Sequence, residues 1–328
     1  MIRIGNIKID ANVMLAPMSG VTDLPYRMIN REFGCKFAFT EMISATGLHY
    51  NNRRTLEMLS VTEDDSPLGV QLIENDEQQL LTAMERIENI KFDILDFNAA
   101  CPARKVVRRG KGSALMKDPE KFQRLIRLMV KNSSRPVTVK IRTGWDKDHL
   151  NALDIAKRAE DAGVSAVFLH GRTSRQFYRD DVDYETIYNV SKKLSIPVIA
   201  SGDILSPQAA KTMLDRTGSS GILVARGSFG NPWIFRDIED FLLSGTLHKR
   251  PKADMTAVVM KKHLQKLFDF YGRYRAPYIY RKTFVYYTRF FRGIKELRQN
   301  VFKITEKKGF ERIIEEFSKN SLRHSENY

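Results

Sequence analysis

The sequence of 328 residues has little cysteine and no long apolar run. Its only two cysteines, Cys35 and Cys101, are too few for a disulfide framework or a cysteine-rich zinc site. The six histidines lack the spacing of metal ligands, so we expect no metal. No apolar run approaches the roughly 20 residues that cross a membrane, and the start, MIRIGNIKID, lacks a secretory signal. We therefore expect a cytoplasmic protein without a membrane partner.

Most of the basic charge lies in the last quarter of the chain. The formal net charge is +15, and residues 247–328 contain 20 Lys and Arg against 8 Asp and Glu, so that +12 lies there and +3 in the first 246 residues. Such an asymmetry favours a polyanionic partner, although a basic surface by itself also fits ordinary solvation. The length exceeds what one core usually supports. We expect a large domain at 1–246 and a small basic helical domain at 247–328.

Short apolar runs alternate with amphipathic helices over the first three quarters of the chain, which is typical of βα units. Eight candidate strands favour a closed (β/α)8 TIM barrel, followed by a small all-α bundle. An open doubly wound sheet is the main alternative, but the G-x-G-x-x-G of dinucleotide-binding sheets is missing after the first strand. The candidate strands are residues 14–16, 37–40, 68–72, 94–98, 137–141, 166–170, 198–201 and 221–225.

Polar or special residues follow the candidate strands. In a barrel, the carboxyl ends of the strands carry the chemistry, so these residues are expected to form one ring around the mouth. They are Pro17 and Met18, Glu41, Gln71, Asn98 with Cys101, Lys140 with Arg142, His170 with Arg172, Ser201-Gly202-Asp203, and Ala225-Arg226-Gly227.

Cys101 follows a buried strand and precedes Pro102 and a long polar loop, so we expect its thiol to face a cleft. An isolated cysteine is more often a small core residue, which is our interpretation of Cys35. Lys140 stands inside the apolar run 137–141, which argues against a merely solvated lysine. His170 closes a strand and is either a site residue or a core histidine with satisfied hydrogen bonds.

The loops after the seventh and eighth strands, Gly202-Asp203 and Ala225-Arg226-Gly227, are where barrels commonly hold phosphate through backbone N–H groups. Each glycine taken alone fits a tight turn equally well. The pairing of both loops favours phosphate, and the Arg226 guanidinium could add a charge-assisted hydrogen bond.

Seven short strings, in order and at successive strand ends, resemble the tRNA-dihydrouridine synthases. Each string alone is weak evidence, but the resemblance covers essentially the whole chain, including its helical end. The strings are Ala16-Pro17-Met18, Gly69-Val70-Gln71-Leu72, Asn98-x-x-Cys101-Pro102, Val139-Lys140-Ile141-Arg142-Thr143-Gly144-Trp145, His170-Gly171-Arg172-Thr173 with Gln176, Gly202-Asp203-Ile204, and Arg226-Gly227 with Gly230-Asn231-Pro232-Trp233.

The resemblance implies an FMN-dependent oxidoreductase that reduces the C5–C6 double bond of specific uridines in tRNA to 5,6-dihydrouridine. It implies NADPH or NADH as the electron donor, a hydride from FMN N5 to C6 of the uracil, and a proton from Cys101 to C5. A thiol is mostly protonated at neutral pH and can act as this acid. We expect a monomer.

The resemblance also implies roles for the ring of residues at the barrel mouth. Ala16, Pro17 and Met18 would lie under the isoalloxazine, Gln71 and Lys140 would bond its polar edge, and His170 would lie near the ribityl chain. The remaining cofactor-binding residues would be Ser201, Gly202, Asp203, Ala225, Arg226 and Gly227. Asn98, Arg142 and Arg172 would orient the uracil and nearby phosphates, with Asn98 foremost because a carboxamide can both donate and accept.

Two positions depart from the family pattern. The family usually has Gly where Ala100 precedes Cys101, and Asn where Ser201 precedes Gly202. Alanine adopts a positive φ less easily than glycine, so we expect a perturbed backbone at Ala100. Ser201 keeps a hydroxyl but is expected to lose one flavin contact.

Aromatic and basic residues interleave over residues 268–282 and 286–292. Such residues can bind phosphates and stack on bases, but they are as compatible with the core and the solvated face of a helical bundle. The charge asymmetry, like the resemblance, favours an RNA-binding domain beside the active-site mouth, and the target uridine would flip out to reach the flavin. The alternatives are a flavin barrel that acts on a free pyrimidine or dihydroorotate, and a tRNA-binding chaperone that has lost catalysis.

Overall fold

A computed structural model describes the backbone of residues 1–325 and the side chains of residues 1–319. The chain opens with an antiparallel hairpin of β1 (Ile2–Ile4) and β2 (Ile7–Ile9), which no sequence pattern predicted. Its turn contains Gly5 at a φ of +58°, a conformation that glycine adopts at little cost. The buried isoleucines of the hairpin pack against residues inside the barrel. The hairpin therefore covers the end of the barrel opposite the mouth.

Eight parallel strands, β3 to β10, close into a barrel in which β10 pairs with β3. The predicted TIM barrel is confirmed, and each candidate strand is present with small changes in its bounds. The largest difference from the predicted bounds is in β4, which continues to Ser44 through a register shift between Phe39 and Met42. The strands are Val13–Leu15, Ala38–Ser44, Leu68–Ile73, Ile94–Asn98, Val137–Arg142, Ala166–His170, Val198–Ser201 and Gly221–Val224.

An aromatic layer fills the barrel below the mouth. The ring of Phe39 meets Phe37 and Phe168 edge to face, at centroid distances of 5.0 and 5.1 Å. Gly69 makes room for this layer, because a Cβ there would lie 2.3 Å from the Phe39 ring. The site above thus rests on a rigid apolar floor.

Ten helices accompany the barrel strands. In α6 (Pro119–Asn132), the Asp118 side chain caps the first turn and Phe122, Leu125 and Met129 recur at helical spacing on the buried face. The other nine are α1 (Leu24–Glu32), α2 (Ala45–His49), α3 (Arg53–Glu57), α4 (Glu77–Ile87), α5 (Arg104–Val107), α7 (Ala152–Asp161), α8 (Tyr184–Lys193), α9 (Pro207–Thr217) and α10 (Ile234–Ser244). Short 3-10 helices span Gly112–Lys117, Arg226–Ser228 and, further along, Val301–Lys303.

Three further helical segments form the C-terminal helical region: α11 (Ala253–Thr288), which is kinked at Gly272, α12 (Lys295–Asn300) and α13 (Lys307–Ser325). They share an apolar cluster to which Ile29 and Trp233 of the barrel also contribute. The expected boundary at 246/247 falls in the connection between α10 and α11, and the division into two domains stays a prediction. Within residues 1–325, every helix is too short or too polar to span a bilayer.

The interleaved aromatics divide between the interior and the surface. Tyr280, Phe284 and Tyr287 are buried in the helical cluster, whereas Tyr274 and Tyr278 are 72% and 70% exposed. The core interpretation therefore holds for the first three, and the last two remain available to a partner.

Candidate active site

A cavity of about 490 Å³ opens at the carboxyl ends of the strands, within the range of about 300–1,000 Å³ of small-molecule sites. Of the predicted site residues, all line it except Arg172 and Gly227. The predicted residues in its wall are Ala16, Pro17, Met18, Gln71, Asn98, Cys101, Lys140, Arg142, His170, Ser201, Gly202, Asp203, Ala225 and Arg226. Glu41 was also expected in this ring, but it lies within β4, where its carboxylate accepts from the backbone N–H of Gly20. The rest of the ring expected at the strand ends forms one cavity.

The loop that carries Cys101 is held by hydrogen bonds on both sides. Oδ1 of Asn98 accepts from the backbone N–H of Ala100 at 3.0 Å and of Cys101 at 2.8 Å. The carbonyl of Cys101 accepts from the backbone N–H of Ser113 at 3.1 Å and from its hydroxyl at 3.0 Å. Both ends of the Cys101 residue are therefore fixed.

Asn98 is expected to bind the uracil, but its carboxamide also has protein partners. Its Nδ2 donates to Oε1 of Gln71 at 2.6 Å, which leaves one N–H for a ligand. Gln71 in turn donates to Asp96 at 2.7 Å, and Thr138 donates to the other oxygen of Asp96 at 2.7 Å. Burial raises the pKa of Asp96 to about 6. A chain of hydrogen bonds thus runs from the barrel interior to the Cys101 loop.

Lys140 presents a free ammonium group to the cavity. Among the residues whose side chains are described, none forms a hydrogen bond or ion pair with its Nζ. Burial, together with the neighbouring Arg142, lowers the pKa of Lys140 to about 8. Burial raises the pKa of Cys101 above its ordinary value, against the opposing charges of Arg142 and Lys140. The cavity therefore holds a lysine that is ready for an electron-rich ligand and a thiol that keeps its proton at neutral pH.

Arg142 ties two loops together. Its Nε donates to the carbonyl of Ala100 at 2.7 Å, and its Nη1 donates to the carbonyls of Thr173 at 2.9 Å and Phe177 at 2.8 Å. Burial lowers the pKa of Arg142 to about 10. The expected perturbation at Ala100 is not found, because its φ is not positive. Alanine fits here because Asn98 and Arg142 hold its N–H and carbonyl in an ordinary backbone conformation.

Asp203 joins two arginines at the rim. Its carboxylate accepts from both Arg172 and Arg226. Burial opposes the ionised form, but these two cations hold the pKa of Asp203 below its ordinary range. Arg172 lies behind the cavity wall, where it also donates to the carbonyl of Asp180 at 3.0 Å. Arg172 supports the wall through Asp203, and the structure does not place it in the cavity.

The loops after β9 and β10 press against each other. Gly202 has a φ of +136° and Asp203 a φ of +48°. Gly227 lies behind the wall because its Cα faces the carbonyl oxygen of Ile204, 2.1 Å from where a Cβ would stand. The backbone N–H groups of Gly202, Asp203 and Arg226 have no acceptor in the part of the chain that the structure describes. Free N–H groups on two touching loops form a cradle for an anion.

His170 is neutral and lacks one partner. Burial, followed by the charge of Arg142, lowers the pKa of His170 well below its ordinary value. Its buried Nδ1 has no hydrogen-bond partner within the described residues. A buried ring nitrogen without a partner beside a cavity suits a polar ligand group.

The helical region completes the cavity wall with residues that were expected in the basic aromatic run but not at the site. Lys282 Nζ donates to the carbonyl of Gly20 at 3.0 Å, and the ring of Tyr286 stacks on Phe229 at 4.3 Å. Met42 and Tyr178 also lie in the wall, although neither was predicted there. The helical region was expected beside the barrel mouth, but no sequence pattern singled out Lys282 and Tyr286 as residues of the cavity wall.

Solved structures with this architecture include histamine dehydrogenase from Rhizobium sp. 4-9, at a TM-score of 0.56 and 12% identity over 81% of this chain. The 6-hydroxypseudooxynicotine amine oxidase of Pseudomonas geniculata N1 has the same TM-score at 16% identity over 80% of this chain. This chain covers 50% and 52% of those two chains, and at such identities the likeness concerns the fold alone.

Sequence relatives are much nearer. The chain is 37% identical over 297 residues to tRNA-dihydrouridine synthase B of Pseudomonas syringae pv. tomato, covering 90% of this chain and 88% of the relative. It is 38% identical over 289 residues to a probable tRNA-dihydrouridine synthase of Rickettsia bellii, covering 88% and 89%. The model of the family Dihydrouridine synthase (Dus) matches residues 14–322. The resemblance seen in the sequence is confirmed, and the chain belongs to the dihydrouridine synthase family.

Proposed function

We propose that this protein reduces uridines of tRNA to 5,6-dihydrouridine, with a bound FMN and with NADPH or NADH as the electron donor. The observation that carries the proposal is the pairing, in one cavity, of the protonated thiol of Cys101 with the unpartnered ammonium of Lys140. The choice of tRNA as the substrate rests on the relatives named tRNA-dihydrouridine synthase. A cytoplasmic location and a monomeric state remain predictions.

The residues present fit FMN. Lys140 offers a cation to the electron-rich edge of a flavin ring, where it would stabilise the charge of the reduced form. The unpartnered Nδ1 of His170 and the free N–H groups of Gly202, Asp203 and Arg226 offer donors or acceptors to a ribityl chain and a phosphate. Arg226 adds positive charge at the rim. When bound, FMN would supply the hydride for C6 of the uracil.

The chain's own part in the reaction is to hold the uracil and to protonate it. The Cys101 S–H bond breaks as a C–H bond forms at C5, while C6 receives the hydride, so that the C5–C6 double bond becomes single. The resulting thiolate, near Lys140 and Arg142, regains a proton from solvent. Asn98 keeps the thiol in place through the Cys101 backbone. The remaining N–H of Asn98 is available to a uracil carbonyl.

A free pyrimidine is the competing substrate. The helical region argues against it, because Lys282 and Tyr286 form part of the cavity wall and belong to the segment that carries most of the net charge. A small substrate needs no such neighbour, whereas a polyanion gains affinity from it.

The proposal is tested by incubating the purified protein with FMN, NADPH and a tRNA transcript that lacks modifications. Digestion and mass spectrometry are expected to show dihydrouridine in the transcript and none in free uridine under the same conditions. Reduction of free uridine at a comparable rate, with an unchanged transcript, would favour the competing substrate.

A further inference from the structure

A second cavity, of about 770 Å³, lies on the rim of the barrel. It is formed by the loops that follow β6, β7 and β8, and we call it the rim groove. Pro102, next to Cys101, lines both this groove and the active-site cavity, so the two adjoin at this residue. The lining consists of Pro102, Arg104, Val107, Arg108, Trp145, Ser174, Arg175, Phe177 and Arg179.

Four arginines, Arg104, Arg108, Arg175 and Arg179, give the rim groove its charge. All four are exposed, and none forms a hydrogen bond or ion pair through its side chain with the residues whose side chains are described. Elsewhere on the barrel, arginines are commonly paired, as Arg135 is with Glu88 at 2.9 Å. Four unpaired like charges repel one another, and an anionic partner would remove that repulsion.

Aromatic side chains lie among these arginines. The guanidinium of Arg175 and the ammonium of Lys117 lie 5.2 and 4.8 Å from the centroid of the Trp145 ring. Phe177 has a φ of +54°, which is strained for a bulky residue, and its carbonyl accepts from Arg142 of the active-site cavity at 2.8 Å. Aromatic faces among unpaired cations suit a nucleic acid strand, which offers bases to stack and phosphates to pair.

The position of the rim groove relative to the helical region indicates which part of a nucleic acid the groove would bind. The helical region contacts the loops after β3 and β10, through Gly20 and Arg226. In the strand order β10-β3-β4-β5-β6-β7-β8-β9, the loops after β6 to β8 are on the opposite side of the mouth. A polyanion bound by the helical region alone would contact the protein on only one side of the cavity. A ligand that reaches both sides crosses the mouth above Cys101.

We propose that the rim groove binds the RNA strand next to the target uridine, with its arginines on phosphates and Trp145 against an unpaired base. This inference rests on the proposed function. A uridine that leaves the base stack exposes the neighbouring bases. Contacts to the RNA on both sides of the uridine would offset the free-energy cost of unstacking. A nicotinamide dinucleotide carries fewer phosphates than four separated arginines can pair, and we treat its binding there as a contrary outcome of the test.

The test compares two double variants with the same change in net charge. Arg104→Ala/Arg175→Ala removes two cations of the rim groove. Arg127→Ala/Lys131→Ala is the control, because both residues are exposed on α6 and neither pairs with a residue whose side chain is described. For the groove variant, we expect tRNA binding that is about tenfold weaker. The slope of log Kd against log salt concentration should fall by about one for each phosphate that the variant no longer binds. NADPH-driven reduction of the flavin is expected to be unchanged in both variants.

Tryptophan fluorescence gives a second measurement on the unmodified protein. Of the two tryptophans, Trp233 is only 4% exposed, so a change on adding tRNA reports on Trp145. We expect tRNA to quench the emission, and Trp145→Phe to abolish that change.

Two outcomes would overturn the inference. One is equal tRNA affinity and salt dependence in the groove variant, the control and the wild type, without quenching. The other is a defect confined to NADPH oxidation, which would make the groove a dinucleotide site. If the wild type neither binds nor reduces tRNA, the proposed function fails instead.

Discussion

The backbone N–H of Cys101 donates to the side-chain oxygen of Asn98 at 2.8 Å, so a residue at the end of β6 fixes the thiol three residues later. The nitrogen of the same carboxamide donates to Gln71, and Gln71 donates to the buried Asp96. The position of the thiol therefore depends on a hydrogen-bond chain anchored in the barrel rather than on the loop alone.

Replacing Asn98 is expected to reduce turnover far more than binding. Asn98→Ala leaves two backbone N–H groups without an acceptor and lets the Cys101 loop move, and a shift of about 1 Å can cost on the order of 100-fold in rate. We expect kcat to fall by roughly 10- to 100-fold and the tRNA Kd to change by less than about threefold. Asn132→Ala on the exposed end of α6 is the control. A fall in tRNA affinity as large as the fall in kcat would contradict this prediction, because Asn98 would then act mainly by binding the substrate.

Lys140 should make FMN affinity depend on pH. Its pKa is about 8, below the ordinary value of 10.5, so the ammonium is charged at pH 7 and loses its proton as the pH rises through 8. A flavin that interacts with the cation binds the charged form, and affinity should fall above pH 8. Fluorescence titrations of FMN from about pH 6.5 to about pH 9.5 measure this.

In the same titrations, Lys140→Met should bind FMN about tenfold more weakly at pH 7 and lack the decline above pH 8. Lys131→Met, on the outer face of α6, should behave as the wild type. If Lys140→Met keeps the decline, another group is responsible for it.

We expect Gly227 to be required because it lets the two loops of the anion cradle approach each other, and not because it makes the backbone flexible. A Cβ at this residue would stand 2.1 Å from the carbonyl oxygen of Ile204, so Gly227→Ala must push apart the loops after β9 and β10. We expect a lower Tm and an FMN affinity at least about tenfold weaker. Gly245→Ala is the matched control, since Gly245 has a φ of +74° and no atom of the described residues lies within 4 Å of where its Cβ would stand. That variant should lose roughly 1 kcal/mol of stability with its FMN affinity intact.

Because the carboxyl of Asp23 is buried, its ionisation should lower the free energy of unfolding as the pH rises. Burial raises its pKa to about 6, so between about pH 4 and 6 the folded protein holds a proton that the unfolded chain has lost. Stability then declines with rising pH across that window, and the decline is complete above it. Asp23→Asn keeps an oxygen for the N–H of Tyr26 at the start of α1 and removes the part of the decline that Asp23 causes, whereas Asp96, whose pKa is also raised to about 6, keeps its own part.

Urea unfolding at about pH 4.5 and about pH 7.5 measures the effect. Between about pH 4.5 and about pH 7.5, we expect the free energy of unfolding of Asp23→Asn to rise relative to that of the wild type by on the order of 2 kcal/mol. Asp118→Asn, at the exposed start of α6, should show no such gain. An equal gain in both variants would mean that the buried site of Asp23 is not the cause.

The barrel could be predicted because its signal is local. Each strand is a short apolar run between turns, and each site residue follows its strand directly, so topology alone brings Gln71, Asn98, Lys140 and His170 together. The N-terminal hairpin escaped prediction because its two three-residue strands pair with each other and are not followed by helices, so they lie outside the βα alternation that revealed β3 to β10.

Contacts between segments distant in the chain could not be predicted. Arg172 and Gly227 were expected in the cavity wall, but Arg172 turns to Asp203 and Gly227 abuts Ile204. The helical region was expected beside the mouth, but its place in the sequence does not indicate that Lys282 and Tyr286 are the residues that line the cavity. The partners of Asn98 likewise depend on the neighbouring strand β5, which carries Gln71.

The most direct test of the account is single-turnover oxidation of the flavin-reduced protein by unmodified tRNA, for the wild type and for Cys101→Ala. We predict that tRNA oxidises the wild-type flavin with matching formation of dihydrouridine, and that Cys101→Ala binds the same tRNA but is slower by at least about 100-fold, as for loss of a general acid. Dihydrouridine formed by both proteins at similar rates would contradict the account, because the proton would then come from a group other than the Cys101 thiol.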